Sequence, residues 1–179
     1  MRITGGMYKG RTVKCPKGVI RPAMDRMRES LFSILGNLNG YSFLDLFSGS
    51  GIVAVEAASR GASHIEAVEM DRGKKKTIIE NLSIAENVIR LWVMSARQFI
   101  IRCPRKFDII YLDPPFPLGE KQKLLELIDY RKICEPEGRC IIHHPGEEKW
   151  PDRIGDLVFC DLRKYGRSFL RFFRNESSS

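Results

Sequence analysis

Asp45-Leu46-Phe47-Ser48-Gly49-Ser50-Gly51 decides how this chain is read, because it closes one element and opens the next. The apolar run Ser42–Phe47 before it has strand character, and Ile52–Arg60 after it carries small and aliphatic residues at helical spacing. The alternation continues outward with a strand at His64–Glu69, a helix at Arg72–Glu86, a strand at Ile89–Met94, a short helix at Ala96–Arg102 and a strand at Phe107–Leu112. A helix near Glu120–Tyr130 and a strand at Arg139–His144 follow. Repeated strand-helix units of this length require a parallel sheet covered by helices on both faces. Two further β-runs, Asp156–Tyr165 and Arg167–Arg174, meet at Gly166 and read as an antiparallel hairpin. The expected architecture is α/β and Rossmann-like, with a mostly parallel seven-stranded sheet ending in that hairpin. An amphipathic helix, Ala23 to about Leu38, and a small basic N-terminal β-element precede it.

The 179 residues suffice for one domain, and 43% hydrophobic with 29% charged residues describes a chain able to bury a core. No apolar run approaches membrane-spanning length. Met1–Lys14 is polar and basic, without the apolar segment of a secretory signal, so a cytoplasmic monomer is expected. The five cysteines are odd in number and include no Cys-x-x-Cys pair, which fits reduced thiols and disfavours structural zinc. His143-His144 near Cys140 reads as a strand end rather than a metal site, since neighbours on a strand face opposite ways. The net charge of +8 is concentrated: Met1–Arg28 holds eight basic residues against one acid, leaving +1 for everything else. Such a basic arm is the footprint of a polyanion partner, nucleic acid above all. The layout expected is a basic, nucleic-acid-binding arm over 1–22, one α/β domain over 23–175 and a disordered tail over 176–179.

Chemistry concentrates at the ends of two strands. Gly49 and Gly51 lack a Cβ, so the loop can turn tightly and let a ligand approach its backbone, where open parallel sheets bind ligands. Glu69, at the end of the second strand, is placed to accept hydrogen bonds from ribose hydroxyls, whereas Asp71 better suits a helix N-terminus. Gly49-x-Gly51-x-x-Ala54 with Glu69 also satisfies a dinucleotide fingerprint, which keeps an NAD-dependent oxidoreductase open. Asp45 argues the other way, because a carboxylate beside the loop repels a pyrophosphate and suits the cationic sulfonium of S-adenosylmethionine.

The second constellation is Asp113-Pro114-Pro115-Phe116, directly after the apolar strand Asp108–Leu112. The prolines fix φ and remove two donors, so the loop presents acceptors to a ligand that carries N–H groups. An exocyclic base amine has two, one for Asp113 and one for the Pro114 carbonyl, and Phe116 offers a face on which a flipped base stacks. Taken alone, an Asp-Pro-Pro turn is ordinary loop chemistry.

Together these residues resemble class I S-adenosylmethionine-dependent methyltransferases that modify exocyclic amines through an (Asn/Asp)-Pro-Pro-(Tyr/Phe) motif. Within that class the chain resembles the RsmD family of bacterial 16S rRNA (guanine-N2)-methyltransferases over almost its whole length. The likeness includes Arg2-Ile3-x-Gly5-Gly6 with Lys9-Gly10-Arg11, and Arg21-Pro22-x-x-Asp25-Arg26-x-Arg28-Glu29-x-Leu31-Phe32. Phe47-x-Gly49-Ser50-Gly51, Glu69-Met70-Asp71 and the terminal hairpin complete it. The resemblance implies S-adenosylmethionine as cofactor, with Asp45, Phe47, Gly49 and Gly51 around its methionine part, Glu69 on the ribose and Met70 on the adenine. It implies Asp113, Pro114, Pro115 and Phe116 around the guanine, and Arg2, Lys9, Arg11, Arg21, Asp25, Arg26 and Arg28 toward 16S rRNA or the small ribosomal subunit. Two positions depart from the family: Ala23 replaces a usual Thr, and Ser95 before Ala96 stands where an Asp or Asn commonly contacts adenine. The same tetrapeptide also accepts adenine N6, so a DNA methyltransferase stays open, as does a non-catalytic RNA-binding assembly factor on this fold.

Overall fold

A single mixed sheet carries the chain, and the computed structural model describes residues 1–15, 22–85 and 89–178 of it. Helix α1 (Pro22–Leu35) leads into β1 (Ser42–Leu46), α2 (Ile52–Ser59), β2 (His64–Val68), a 3₁₀ turn (Arg72–Lys74) continuing into α3 (Lys75–Leu82), and β3 (Ile89–Trp92). Then come α4 (Ala96–Arg102), β4 (Phe107–Leu112), α5 (Lys121–Arg131), β5 (Cys134–Pro145), β6 (Arg153–Ile154), β7 (Leu157–Tyr165) and β8 (Ser168–Asn175). The strand order is β3-β2-β1-β4-β5-β8-β7-β6. β1 to β5 run parallel, while β8, β7 and β6 add antiparallel pairs. The sheet thus has eight strands rather than seven, the extra one being the two-residue β6 that extends the β7 edge.

β1 and β4 are buried on both faces, as continuous apolar strands under helices must be. One core lies against α1, α2 and α3 and the other against α4 and α5. Helix α2 is itself almost wholly buried, and its alanines at 54, 57 and 58 let elements approach it closely.

One of those elements is the N-terminal arm, which is stitched down rather than free. Ile3, Tyr8 and Val13 enter the first core. Fully buried Glu56 of α2 accepts hydrogen bonds from the Thr4 amide, the Thr4 hydroxyl and the Gly5 amide. Its charge is balanced by Arg28 and Arg60, at 3.6 and 3.4 Å. Asn81 of α3 clips the arm from the other side, accepting from the Lys14 amide and donating to the Lys14 and Ser50 carbonyls. Among the described residues of the arm, the β-character is one bridge, Arg2 with Thr12. At the C-terminal end the Glu176 amide donates to the Asp156 carbonyl, and its carboxylate pairs with Arg153 and Arg174.

Candidate active site

The strand order reverses between β1 and β4, and the loops after them open into a cleft of about 860 Å³. Leaving β1, the chain turns through left-handed backbone at Phe47 (φ 67), Gly49 (φ 61) and Gly51 (φ 81). That conformation is strained for phenylalanine, and the neighbouring Ser48 amide anchors the turn by donating to the Val68 carbonyl at 2.8 Å. A Cβ on Gly49 would meet nothing nearer than 3.9 Å, so its turn angle requires glycine and the bare backbone leaves the cleft floor open. At Gly51 crowding adds to the angle, since a Cβ would lie 3.0 Å from the Leu82 side chain of α3.

Glu69 joins two loops. One carboxylate oxygen accepts the Gly49 amide at 2.9 Å and the other the Asp71 amide at 2.8 Å. Each oxygen keeps a lone pair for a ligand hydroxyl. Asp71 accepts from the Gly73 amide and caps the 3₁₀ turn, as its position after the strand suggested. Met70 is exposed on the cleft rim, and Lys74 stands 3.8 Å from Glu69.

Opposite, Asp113 follows β4, its amide reaching the Leu46 carbonyl at 3.4 Å. The loop behind it is pinned: buried Lys121 donates to the Phe116 carbonyl at 2.7 Å and pairs with Glu148, while the Leu118 amide donates to the Pro115 carbonyl. The Pro114 carbonyl receives no hydrogen bond among the described residues. Register Leu112↔Ile142 sets His143 beside Asp113, with Nδ1 2.6 Å from a carboxylate oxygen. The His143 ring also stands edge-on to Phe116, centroids 5.0 Å apart. His144 faces the other side of the sheet against Trp150 and Phe169, so the histidines do diverge.

Of the residues expected around the cofactor, Phe47, Gly49, Glu69 and Met70 line this cleft with Asp113, Pro114, Pro115 and Phe116. Asp45 does not; it lies beneath the floor, 1% exposed, accepting from the Ser48 hydroxyl at 2.8 Å. Burial pushes its carboxyl up to about 7, the Ser48 bond opposing and the nearby Asp113 charge adding to the rise. The expected free carboxylate is therefore a buried group that acts on the cleft through the loop. Ser95 and Ala96 also lie off the cleft, because Ser95 caps α4, accepting from the Gln98 amide while the Gln98 side chain accepts from its own.

Among the residues expected toward RNA, Arg2, Lys9 and Arg26 are exposed, and Arg11 is exposed while stacking its guanidinium over Tyr8. Arg28 is buried, donating to Asp25 and to the Arg2 carbonyl, so it braces the arm instead of facing a partner. Arg21 lies outside the described residues. His143 and Lys121 were not among the expected site residues. The His143 contact depends on pairing between strands whose residues lie 30 apart in sequence, which no local pattern displays, whereas Lys121 reaches back only five residues to the Phe116 carbonyl.

The family described as "Conserved hypothetical protein 95" matches residues 1–174. The chain belongs to that family. A Bacillus subtilis protein named "Putative rRNA methyltransferase YlbH" is 33% identical, over 97% of this chain and 98% of its own. "Ribosomal RNA small subunit methyltransferase D" of Escherichia coli K12 is also 33% identical, over 72% of this chain and 67% of its own. The solved structure titled "Putative methyltransferase yhhF from Escherichia coli" superposes with a TM-score of 0.87 at 29% identity, covering 99% of each chain. The fold is the Rossmann-like fold of these methyltransferases, and the acid-lined cleft is poor ground for the dinucleotide reading. Glu69, Asp71 and Asp113, with Asp45 beneath, face one lysine among its described lining residues, a field that opposes a pyrophosphate.

Proposed function

We propose that the chain transfers a methyl group from S-adenosylmethionine to the exocyclic N2 amine of a guanine in 16S rRNA. The observation that carries this reading is the Asp113-Pro114-Pro115-Phe116 loop facing the Gly49 turn and Glu69 across one cleft. The residues fit the cofactor: Glu69 has lone pairs for the ribose, Gly49 leaves room at the floor, Met70 and Phe47 give apolar surface, and the acids suit a cation. S-adenosylmethionine would supply an electrophilic methyl group on a sulfonium whose sulfur is a good leaving group, departing as a neutral thioether.

The chain's own residues do the rest. Asp113 and the Pro114 carbonyl accept the two amine N–H groups, which steers the nitrogen lone pair out of the base ring. Once the nitrogen carries a fourth bond, Asp113 takes the proton it releases and passes it to water. Phe116, its carbonyl held by Lys121, keeps the base face covered. Exposed Arg2, Lys9 and Arg26 supply cations for the phosphate backbone, and the rRNA names of the relatives support RNA over DNA. The test is transfer of label from S-adenosylmethionine to unmodified small subunits, naked 16S rRNA and duplex DNA in parallel. Label in either RNA form supports the reading, and label in DNA alone overturns it.

A further inference from the structure

The amine-binding carboxylate has a partner that the sequence motif does not include. Asp113 is about a quarter exposed at the cleft, and one of its oxygens lies 2.6 Å from His143 Nδ1. A nitrogen and a carboxylate oxygen at that separation share a proton. His143 is itself buried, wedged by its edge contact with Phe116, and its Nε2 is buried without a hydrogen-bond partner among the described residues.

That orphaned atom fixes the tautomer. A neutral imidazole carries one N–H. Placed on Nδ1, it bonds the carboxylate and leaves only a bare lone pair at Nε2. Placed on Nε2, it would bury a donor with no acceptor while setting two lone pairs against each other at 2.6 Å.

The geometry points to His143 as the positioning residue for Asp113: its Nδ1–H donates to one carboxylate oxygen, fixes the side chain's rotation and leaves the second oxygen to accept the substrate amine. The role rests on the amine-binding reading of Asp113 given above. It meets a need specific to this cleft, where the Asp113 charge lies near enough to be felt at Asp45 beneath the floor. A donor held on one oxygen keeps the other an acceptor, and the packed Phe116 and β5 backbone hold the donor. The placement also couples the two halves of the base site, because the ring that orients Asp113 braces the aromatic on which the base would stack.

The test uses the full chain with His143→Ala, His143→Asn and Asp113→Ala. Asparagine keeps an N–H near the position of Nδ1–H but lacks the ring. In His143→Ala, kcat should fall about 10- to 100-fold while the Kd for S-adenosylmethionine stays within about twofold, since only orientation of the amine acceptor is lost. His143→Asn should recover most of that turnover, a rescue that a purely structural role for the ring would not produce. Wild-type kcat in His143→Ala, or no recovery in a folded, cofactor-binding His143→Asn, overturns the assignment. Wild-type turnover in Asp113→Ala would instead overturn the reading of Asp113 beneath it. Nitrogen-15 NMR of the His143 ring gives a readout independent of activity. The expected spectrum has Nδ1 protonated and Nε2 bare, changing in Asp113→Ala, and an Nε2-protonated ring in the wild type refutes the proposal.

Discussion

Replacing Asp45 by asparagine should make the cofactor-free protein more stable, and increasingly so as pH rises. The carboxyl is buried under the Gly49 turn and accepts the Ser48 hydroxyl at 2.8 Å, with the Ala54 amide as a second donor. Asparagine matches this environment, since its oxygen can take the Ala54 amide while its NH₂ donates to the Ser48 oxygen. In the folded state the carboxyl is raised from 3.8 to about 7, burial being the main cause. A raised folded value means stability present below the unfolded value and lost as pH climbs through the folded one. At about 1.4 kcal/mol per pH unit, the interval from 3.8 to about 7 corresponds to a loss of about 4 kcal/mol, a large part of a typical domain's stability. Urea denaturation of both proteins without cofactor, from about pH 4 to about pH 8, should show a difference growing from near zero to about 4 kcal/mol in favour of Asp45→Asn. A pH-independent difference, or a wild type that gains on the variant as pH rises, would refute the reasoning.

Glu56→Gln should cost about 3–5 kcal/mol in urea denaturation, because it removes the buried carboxylate shared by Arg28 and Arg60 and sets an NH₂ against the Thr4 and Gly5 donors, and a loss under about 1 kcal/mol would contradict the anchoring of the arm. Gly51→Ala meets both a left-handed angle and the Leu82 side chain and should lower stability by about 1–3 kcal/mol; an unchanged melting temperature would show that the turn relaxes freely. Lys121→Met removes the donor to the Phe116 carbonyl and should raise the KM for RNA more than that for cofactor, an equal rise in both being the contrary result. Changing Arg2, Lys9 and Arg26 together to glutamine should weaken RNA binding and reduce the slope of log affinity against log salt by about 2, whereas an unchanged slope would remove these residues from the interface.

The parallel sheet was legible because it rests on local signals: apolar strands, helical spacing, and glycines where the chain turns. The two site loops were legible for the same reason, since each follows its strand directly and ends at the same edge. Burial depth was not. Asp45 is four residues from Gly49 in sequence, yet whether its carboxyl enters the cleft or lies beneath it depends on how Phe47 turns, and Phe47 takes a backbone conformation that aromatic residues seldom adopt. Ser95 shows a related limit, because sequence alone does not reveal that its hydroxyl already takes the Gln98 amide as a helix cap. His143 needed register: only the pairing of Leu112 with Ile142 shows that the next residue on each strand forms a contact. In the arm, charge was conspicuous and anchorage was not, since Ile3, Tyr8 and Val13 follow no regular period and Glu56 sits unremarked in an alanine-rich helix.

The most direct test of the central claim is the identity of the methylated nucleoside. Unmodified small-subunit RNA treated with labelled S-adenosylmethionine and either wild type or Asp113→Ala would be digested to nucleosides and resolved by mass. The account expects label in N2-methylguanosine with the wild type and almost none with Asp113→Ala, although both bind the cofactor equally. Label in N6-methyladenosine, or equal N2-methylguanosine from both proteins, would contradict it.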